Sequence, residues 1–579
     1  MRTDSNCRYK SVGAALLAVL LIVGLASLSF AMPPHPDLRA KIAASKITES
    51  LYLDQLQKLR AMGVDAPDKP IGDFIKSKAS PRTALASTPY KMLAVLVDFS
   101  DNTASVAGSG FDDLLFDSVG TSVKSFYDEV SNSQLDLLTL DLPSTTGWYR
   151  APQTYAYYVD GQYGLGTYPQ NTQKLVEDLV DAANPDIDFS QYDNDGDHYV
   201  DALIVIHAGP GREFTGSPDD IHSHKWGINP RPVDGVYVSS YTIQPEYMNT
   251  PGDQTIGVFC HELGHIFGLP DLYDTDESSR GVGAWCLMAY GSWNGSNGSS
   301  PSYPSAWCRQ FLGFSNVVNV ASNGTGQIIT AAENGGSIYR LWNSGDSTSS
   351  EYFLVENRQK TGYDYYLPSA GLLIWHVDES KLGPYDNDQE WYPGLPATDH
   401  YAVALEQADG LYQLEHSVNV GNSGDPYPGS TGNTSFGPST SPSSDSYLGG
   451  STLVAVQSIS ASLPAMTADL IVGLAASVDD DTKPILPQHI ELAQNYPNPF
   501  NPTTRIEFSV TKAGPIRLDI FNIAGQKVRT LFDSYVGPGV TTVDWDALDS
   551  NGNPVASGVY FYRLQSGDHK EVKKMTFVR

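Results

Sequence analysis

The sequence predicts a multidomain fold: an α/β domain, then a β-sandwich-like domain, then a small Ig-like β-sandwich at the C-terminus. Three observations predict it. The chain has 579 residues, 41% of them hydrophobic, which is enough for several separate cores. Apolar runs suited to buried strands, Leu93 to Val97 and Leu203 to Ile206, stand on either side of a helical run around Val123 to Tyr127. Beyond residue 316 the pattern is strand alternation broken by turn residues, and 33 tyrosines lean the composition toward β structure.

Residues 1–31 read as a secretory signal. Arg2, Arg8 and Lys10 precede an uncharged run from Ser11, and Ser29-Phe30-Ala31 fits a small-x-small cleavage site. That run is also long enough for a membrane anchor; no other stretch is, so no stable membrane span is expected after cleavage. Residues 32–88 alternate Lys-rich helical segments with loops and close on a Ser/Pro/Thr-rich stretch, Lys76 to Pro89. They read as a propeptide with a cleavable linker, or as a helical module that stays attached. No residue within them stands out as a cap for a metal.

Residues 89–315 form the α/β domain, with its key helix arriving after the last core strands. Residues 316–475 form the β-sandwich-like domain, with strands at Tyr352 to Glu356 and Leu372 to Trp375. Inside it runs a Gly/Ser/Pro/Thr-rich loop, Gly421 to Gly450. His376, Asp378 and Glu379 close one strand and read as a solvated edge, with a second ion site as the alternative. A polar linker spans 476–488. Residues 489–579 carry about seven short strands, the pattern of an Ig-like sandwich.

The densest chemical information lies in Cys260-His261-Glu262-Leu263-Gly264-His265-Ile266-Phe267-Gly268-Leu269-Pro270-Asp271. The spacing predicts a helix over 253–267, capped by Asp253. His261 and His265, four apart, stand one turn above each other and can both reach one Zn²⁺. Glu262 sits beside them, placed to take a proton from metal-bound water. Gly268 can end the helix in a left-handed turn that brings Asp271 to a third ligand position. The fourth position stays open, as catalysis requires.

About twenty residues on, Gly283 to Trp293 places Met288 in a turn-rich stretch like the Met-turn of metzincins. Together these stretches resemble the immune inhibitor A family of secreted bacterial metallopeptidases, which carry H-E-x-x-H-x-x-G-x-x-D followed by W-x-L-M-x-x-G-S-W. Similar stretches recur at Leu96 to Asp101, His207 to Gly211, Ser305 to Trp307 and Gly371 to Glu379, so the resemblance covers roughly Lys91 to Gly473. It implies a metzincin-like zinc peptidase domain with His261, His265 and Asp271 as ligands. Aspartate in place of a third histidine makes the metal a slightly weaker Lewis acid. Tyr290 matches a tyrosine that swings between zinc and the oxyanion in some metzincins; a packed aromatic is the equal alternative. The C-terminal segment, with Asn495 to Thr504, Phe521 to Gln526 and Ser557 to Tyr562, resembles the sorting domain of type IX-secreted proteins and the Ig-like domain of flagellar hook-capping proteins. That implies export through the periplasm by an outer-membrane secretion machinery, with release or surface attachment.

A second candidate site is Asp193-Asn194-Asp195-Gly196-Asp197-His198-Tyr199-Val200-Asp201. Carboxylates of Asp193, Asp195, Asp197 and Asp201, with the Tyr199 carbonyl, follow the alternation a structural Ca²⁺ takes. His198 stands where a loop of this kind usually has glycine. The net charge of −30, or −32 after removal of residues 1–31, argues against nucleic acid and anionic membrane as partners. Three cysteines follow the signal: Cys260 and Cys286 could form a disulfide or stay buried thiols, and Cys308 is left as a packed thiol.

The expected function is therefore an exported zinc endopeptidase acting on extracellular proteins or peptides. Two alternatives remain: a non-catalytic binding protein on a peptidase scaffold, and a zinc hydrolase of non-peptide substrates. The intact His261, Glu262, His265 and Asp271 argue against the first.

Overall fold

A computed structural model describes residues 32, 33, 35, 36 and 62–78, then 87–473 without 276, 277, 384–386 and 397, and 490–578 without 496, 511, 513, 537, 538, 551 and 568. The expected signal, residues 1–31, and the expected linker, 476–488, lie outside the described residues.

The first unit is built on a short parallel pair and a five-stranded sheet. β1 (Thr88–Lys91) pairs with β3 (Leu135–Leu138). The larger sheet contains β2 (Leu93–Asp98), β4 (Trp148–Arg150), β5 (Leu203–Pro210), β6 (His224–Val233) and β7 (Val236–Tyr247), in the order β4-β2-β5-β7-β6. All pairings are parallel except β6 with β7, which makes β6 an antiparallel edge. Every residue of β2 is buried, as a parallel strand covered on both faces requires. Ala94 and Leu96 join Ile204 and Ile206 in one core. Leu93, Val95 and Val97 join Leu203 and Val205 in the other.

Helices cover both faces. On the first lie α1 (Ile71–Lys78), α2 (Val123–Val130), α4 (Ile256–Ile266) and α5 (Ala306–Leu312); on the second lies α3 (Thr172–Ala183). α2 starts at a reciprocal cap: Ser125 N donates to Ser122 Oγ and Ser122 N to Ser125 Oγ, each at 2.9 Å. α1, from the expected propeptide, buries Ile71 and Ile75 in the first core. The helix expected over 253–267 begins at Ile256. Asp253 caps no helix; it accepts from Met248 N, Asn249 N and Thr250 N at 2.8, 3.0 and 2.9 Å and closes the preceding turn. Every residue of α4 is buried, which is why its sequence is apolar all round except for the site residues.

The region after residue 316 is β structure. β8 (Val317–Asn319), β10 (Ile338–Leu341), β11 (Glu351–Arg358), β12 (Gly371–Asp378) and β13 (Val403–Leu405) form one sheet in the order β13-β12-β11-β10-β8. β9 (Gly324–Thr330), β14 (Ala455–Gln457) and β15 (Ala465–Ile471) form a second, ordered β14-β15-β9. Period-two alternation sends Tyr352, Leu354, Trp375 and Val377 into the core of the first unit and Phe353, Val355, Leu372 and Ile374 toward the second sheet. One core thus runs continuously across residue 316. Two buried ion pairs reinforce the seam: Arg309 with Glu356, and Arg358 with Asp364.

His376 and Asp378, expected at a solvated edge, are buried. His376 sits between Glu351 and Glu406 at 3.0 and 3.1 Å and stacks on Tyr447; Asp378 pairs with His400 at 2.9 Å. Partners from distant segments turn the strand end into a satisfied polar core.

Among the described residues, the last unit has seven strands in two antiparallel sheets. β16 (Glu491–Leu492), β17 (Thr504–Val510) and β20 (Gly539–Trp545) lie in the order β16-β17-β20. β18 (Gly514–Asn522), β19 (Lys527–Val536), β21 (Gly558–Ser566) and β22 (His569–Phe577) lie in the order β19-β18-β21-β22. Leu492, Phe508, Leu518, Ile520, Trp545 and Leu564 share the core of this unit.

Candidate metal centre

α4 presents His261, Glu262 and His265 from one buried stretch. Gly268 follows with φ +96°, a conformation L side chains resist. Leu269 N returns to Gly264 O at 2.9 Å, so the chain reverses at once. The reversal carries Asp271 Oδ1 to 3.1 Å from His261 Nε2 and 3.3 Å from His265 Nε2.

The other ring nitrogens fix the tautomers. His261 Nδ1 donates to Leu287 O at 3.0 Å and His265 Nδ1 to Leu269 O at 2.8 Å, because a carbonyl only accepts. Each Nε2 is then a lone-pair donor facing Asp271. Buried atoms of this kind cost free energy when unsatisfied. Both Nε2 atoms, Asp271 Oδ1 and both carboxylate oxygens of Glu262 have no hydrogen-bond partner among the described residues. Two imidazoles and one carboxylate oxygen converging there fit a divalent cation.

Electrostatics follow burial. Glu262 is held well above the usual carboxylate range, first by burial and then by the charges of Asp65 and Asp271. Burial also works to raise Asp271, but where His261 and His265 carry a proton in the metal-free form their charge outweighs it and holds Asp271 below its ordinary value.

The stretch containing Met288 lies directly beneath the helix. Leu287 supplies the carbonyl for His261, and Leu272 N donates to Met288 O at 2.7 Å. Tyr290 is buried in the first core, with the Arg280 guanidinium 5.9 Å from its ring centre. Cys286 Sγ lies 3.9 Å from Cys308 Sγ, and all three cysteines are buried free thiols. Of the two readings for Cys260 and Cys286, buried thiols hold and the disulfide does not form; α5 brings Cys308 beside Cys286.

In the acidic loop, Asp193, Asp195 and Asp197 bring ligand atoms within 4.8 Å of one another. His198 adopts φ +70°, the strained geometry expected where glycine is missing. Asp201 is not in that cluster; its carboxylate accepts from Asn194 N, and burial lifts it to about 7. The Tyr199 amide donates to Asp197 Oδ1 at 3.0 Å.

One residue at the centre had no signal in the sequence. Asp65, from the expected propeptide, is buried with a ligand atom within 4.8 Å of both Glu262 and His265. It arrives through tertiary contacts alone.

The α/β unit thus carries a buried two-histidine, one-aspartate cradle with a glutamate beside it. Residues 86–317 match the model for the immune inhibitor A peptidase M6 catalytic domain, and residues 494–578 that for the secretion system C-terminal sorting domain; the chain carries both. Pre-pro-metalloprotease PrtV from Vibrio cholerae is 30% identical over 38% of this chain and 29% of that protein. Immune inhibitor A from Bacillus thuringiensis is 33% identical over 33% of this chain and 31% of that protein. The chain thus spans about three tenths of the length of these curated relatives. A solved structure of OgpA from Akkermansia muciniphila aligns at 12% identity over 86% of this chain and 95% of that one, with a TM-score of 0.24, too low to bear on the fold. The sorting domain indicates secretion or surface localisation. Among the described residues no helix is long and apolar enough to cross a membrane.

Proposed function

We propose that the protein is an exported zinc-dependent endopeptidase of extracellular proteins. The observation that carries this reading is the convergence of His261 Nε2, His265 Nε2 and Asp271 Oδ1, all buried and unpaired, beside the free carboxylate of Glu262. His261, His265 and Asp271 would hold Zn²⁺, which supplies Lewis acidity toward a carbonyl and a water acidic enough to attack near neutral pH. Glu262 stands beside the cradle, where it would accept a proton from an attacking water and return one to the leaving amine. Its raised affinity for a proton suits the second step, and the positive charge of a bound metal suits the first. Leu287 and Leu269 keep the two imidazoles in register, and Met288 supports them from below. Tyr290 is the candidate for steadying the oxyanion.

In the same reading, residues 1–31 are the signal, 32–88 the propeptide, 89–315 the metzincin-like catalytic domain and 316–475 an accessory domain packed on it. The pair of sheets at 489–579 is an Ig-like sorting sandwich, engaged by the outer-membrane secretion machinery. The loop at Asp193, Asp195 and Asp197, with the Tyr199 carbonyl, binds Ca²⁺ structurally; Asp201 braces the loop through Asn194.

The test is cleavage of a labelled protein by the purified chain, with and without the propeptide, beside Glu262→Ala. Loss of activity in the variant with one zinc per chain retained supports the reading. An inactive wild type after propeptide removal, with zinc bound, sinks it in favour of a binding protein or a non-peptide substrate.

A further inference from the structure

The structure assigns Asp65 as an additional ligand-type residue of the metal centre, an internal carboxylate that keeps the site closed to outside ligands until its segment leaves. This rests on the zinc-peptidase reading above.

Three observations carry it. First, Asp65 places a carboxylate oxygen within 4.8 Å of both a His265 ring nitrogen and a Glu262 oxygen, so His265 is shared between this group and the His261, His265 and Asp271 cradle. Second, the placement is built, not incidental. Asp65 N donates to Lys225 O at 2.8 Å, and Lys225 N donates back to Asp65 Oδ1 at 3.0 Å. The residue adopts φ +57°, a conformation that costs free energy in a non-glycine. Third, the flanking segment is tied to the cleft from both sides. Trp226 Nε1 holds Met62 O at 2.9 Å, Lys225 Nζ pairs with Asp68 at 2.5 Å, and Asp68 N donates to His265 O at 3.0 Å.

Lys225 and Trp226 belong to β6, the antiparallel edge strand of the main sheet. An edge strand beside a hydrolytic centre offers free backbone groups to an extended peptide. Asp65 occupies one such position here: its amide donates to Lys225 O and its carboxylate receives Lys225 N. Gly268 completes the fit: a Cβ there would meet Pro70 Cα at 3.0 Å and Asp68 O at 3.1 Å. The stretch expected to be cleavable, Lys76 to Pro89, follows directly in the chain.

The test uses the full zinc-loaded chain and acetohydroxamate, a small metal-chelating probe, with binding read by calorimetry and zinc content measured on the same samples. Asp65→Ala and the isosteric Asp65→Asn are compared with the parent. The expected result is a gain of at least about tenfold in probe affinity in both variants, with zinc content and unfolding midpoint held. Equal affinity in parent and variants, with zinc retained, overturns the assignment. So does the pattern in which neither variant gains affinity while removal of residues 32–88 does, since the cover is then steric and Asp65 idle. A parent chain that binds no zinc overturns the metallopeptidase reading itself, and is told apart by the metal assay.

Discussion

Met288 Sδ packs against the backbone of Gly264, between the two histidines of the metal helix: a Cβ on Gly264 would come within 2.5 Å of the sulfur. Met288 is fully buried, so the thioether has no room to withdraw. Gly264→Ala should push the turn off the helix and disturb the Leu287 carbonyl that orients His261. Overpacking of this kind costs about 1–3 kcal/mol. Urea unfolding should show a lower midpoint, and metal titration a weaker site. An unchanged midpoint together with unchanged metal affinity would remove the supporting role given to Met288.

Ligands and base should separate cleanly. Asp271→Ala or His265→Ala removes a donor from the cradle, so zinc content after dialysis should fall well below one per chain. Glu262→Ala leaves the donors in place, so zinc should stay while turnover drops roughly 10²–10⁴-fold. Metal analysis and a peptide-cleavage assay on the same samples read both. Loss of zinc in Glu262→Ala would make Glu262 a ligand and not a base.

Arg358 on β11 ties the accessory sheet to the first unit. Its guanidinium pairs with Asp364 at 2.5 and 2.7 Å and reaches Glu356 at 3.3 Å, all fully buried. Asp364 in turn accepts from Tyr303 N at 2.8 Å. Truncating one partner of such a pair strands the others without solvent, typically at ~3–5 kcal/mol. Arg358→Met should therefore lower the midpoint of a transition that takes both the peptidase unit and the accessory sheets with it. Two separate transitions for these regions in calorimetry would contradict the shared core.

Much of this is legible in the sequence alone. The histidines sit one helical turn apart, and that spacing fixes their common direction. β2 and β5 open on apolar runs, Leu93 to Val97 and Leu203 to Ile206, because both faces of a parallel sheet are covered. What escaped depends on segments far apart in the chain. Asp65 is placed by Lys225, and His376 by Glu351, Glu406 and Tyr447. Asp253 looked like a helix cap, yet the turn at 248–250 offers it three closer amides. Local pattern reports what a residue's neighbours in sequence permit; it is silent on which distant backbone competes for the same carboxylate.

Glu415 supplies a pH signature away from the metal. Its side chain is 5% exposed, with Oε2 accepting from Gln407 Nε2 at 2.6 Å. Burial is the main cause that lifts it from its ordinary 4.5 to about 8, with Glu406 and Asp425 adding to it. The folded state therefore binds this proton more tightly than the unfolded chain does. Its contribution to stability is full below pH 4.5 and is lost as pH rises toward 8, an upper bound of roughly 4–5 kcal/mol. Glu415→Gln keeps an acceptor for Gln407 and abolishes the titration. His207 works in the opposite direction, since burial lowers it to about 4 and its contribution is lost as pH falls below 6.5. The difference between parent and Glu415→Gln isolates the glutamate from that background. Denaturant midpoints measured from pH 5 to 8 should show the variant gaining on the parent steadily as pH rises. A constant difference across the range would mean that Glu415 is ionised in the folded protein throughout.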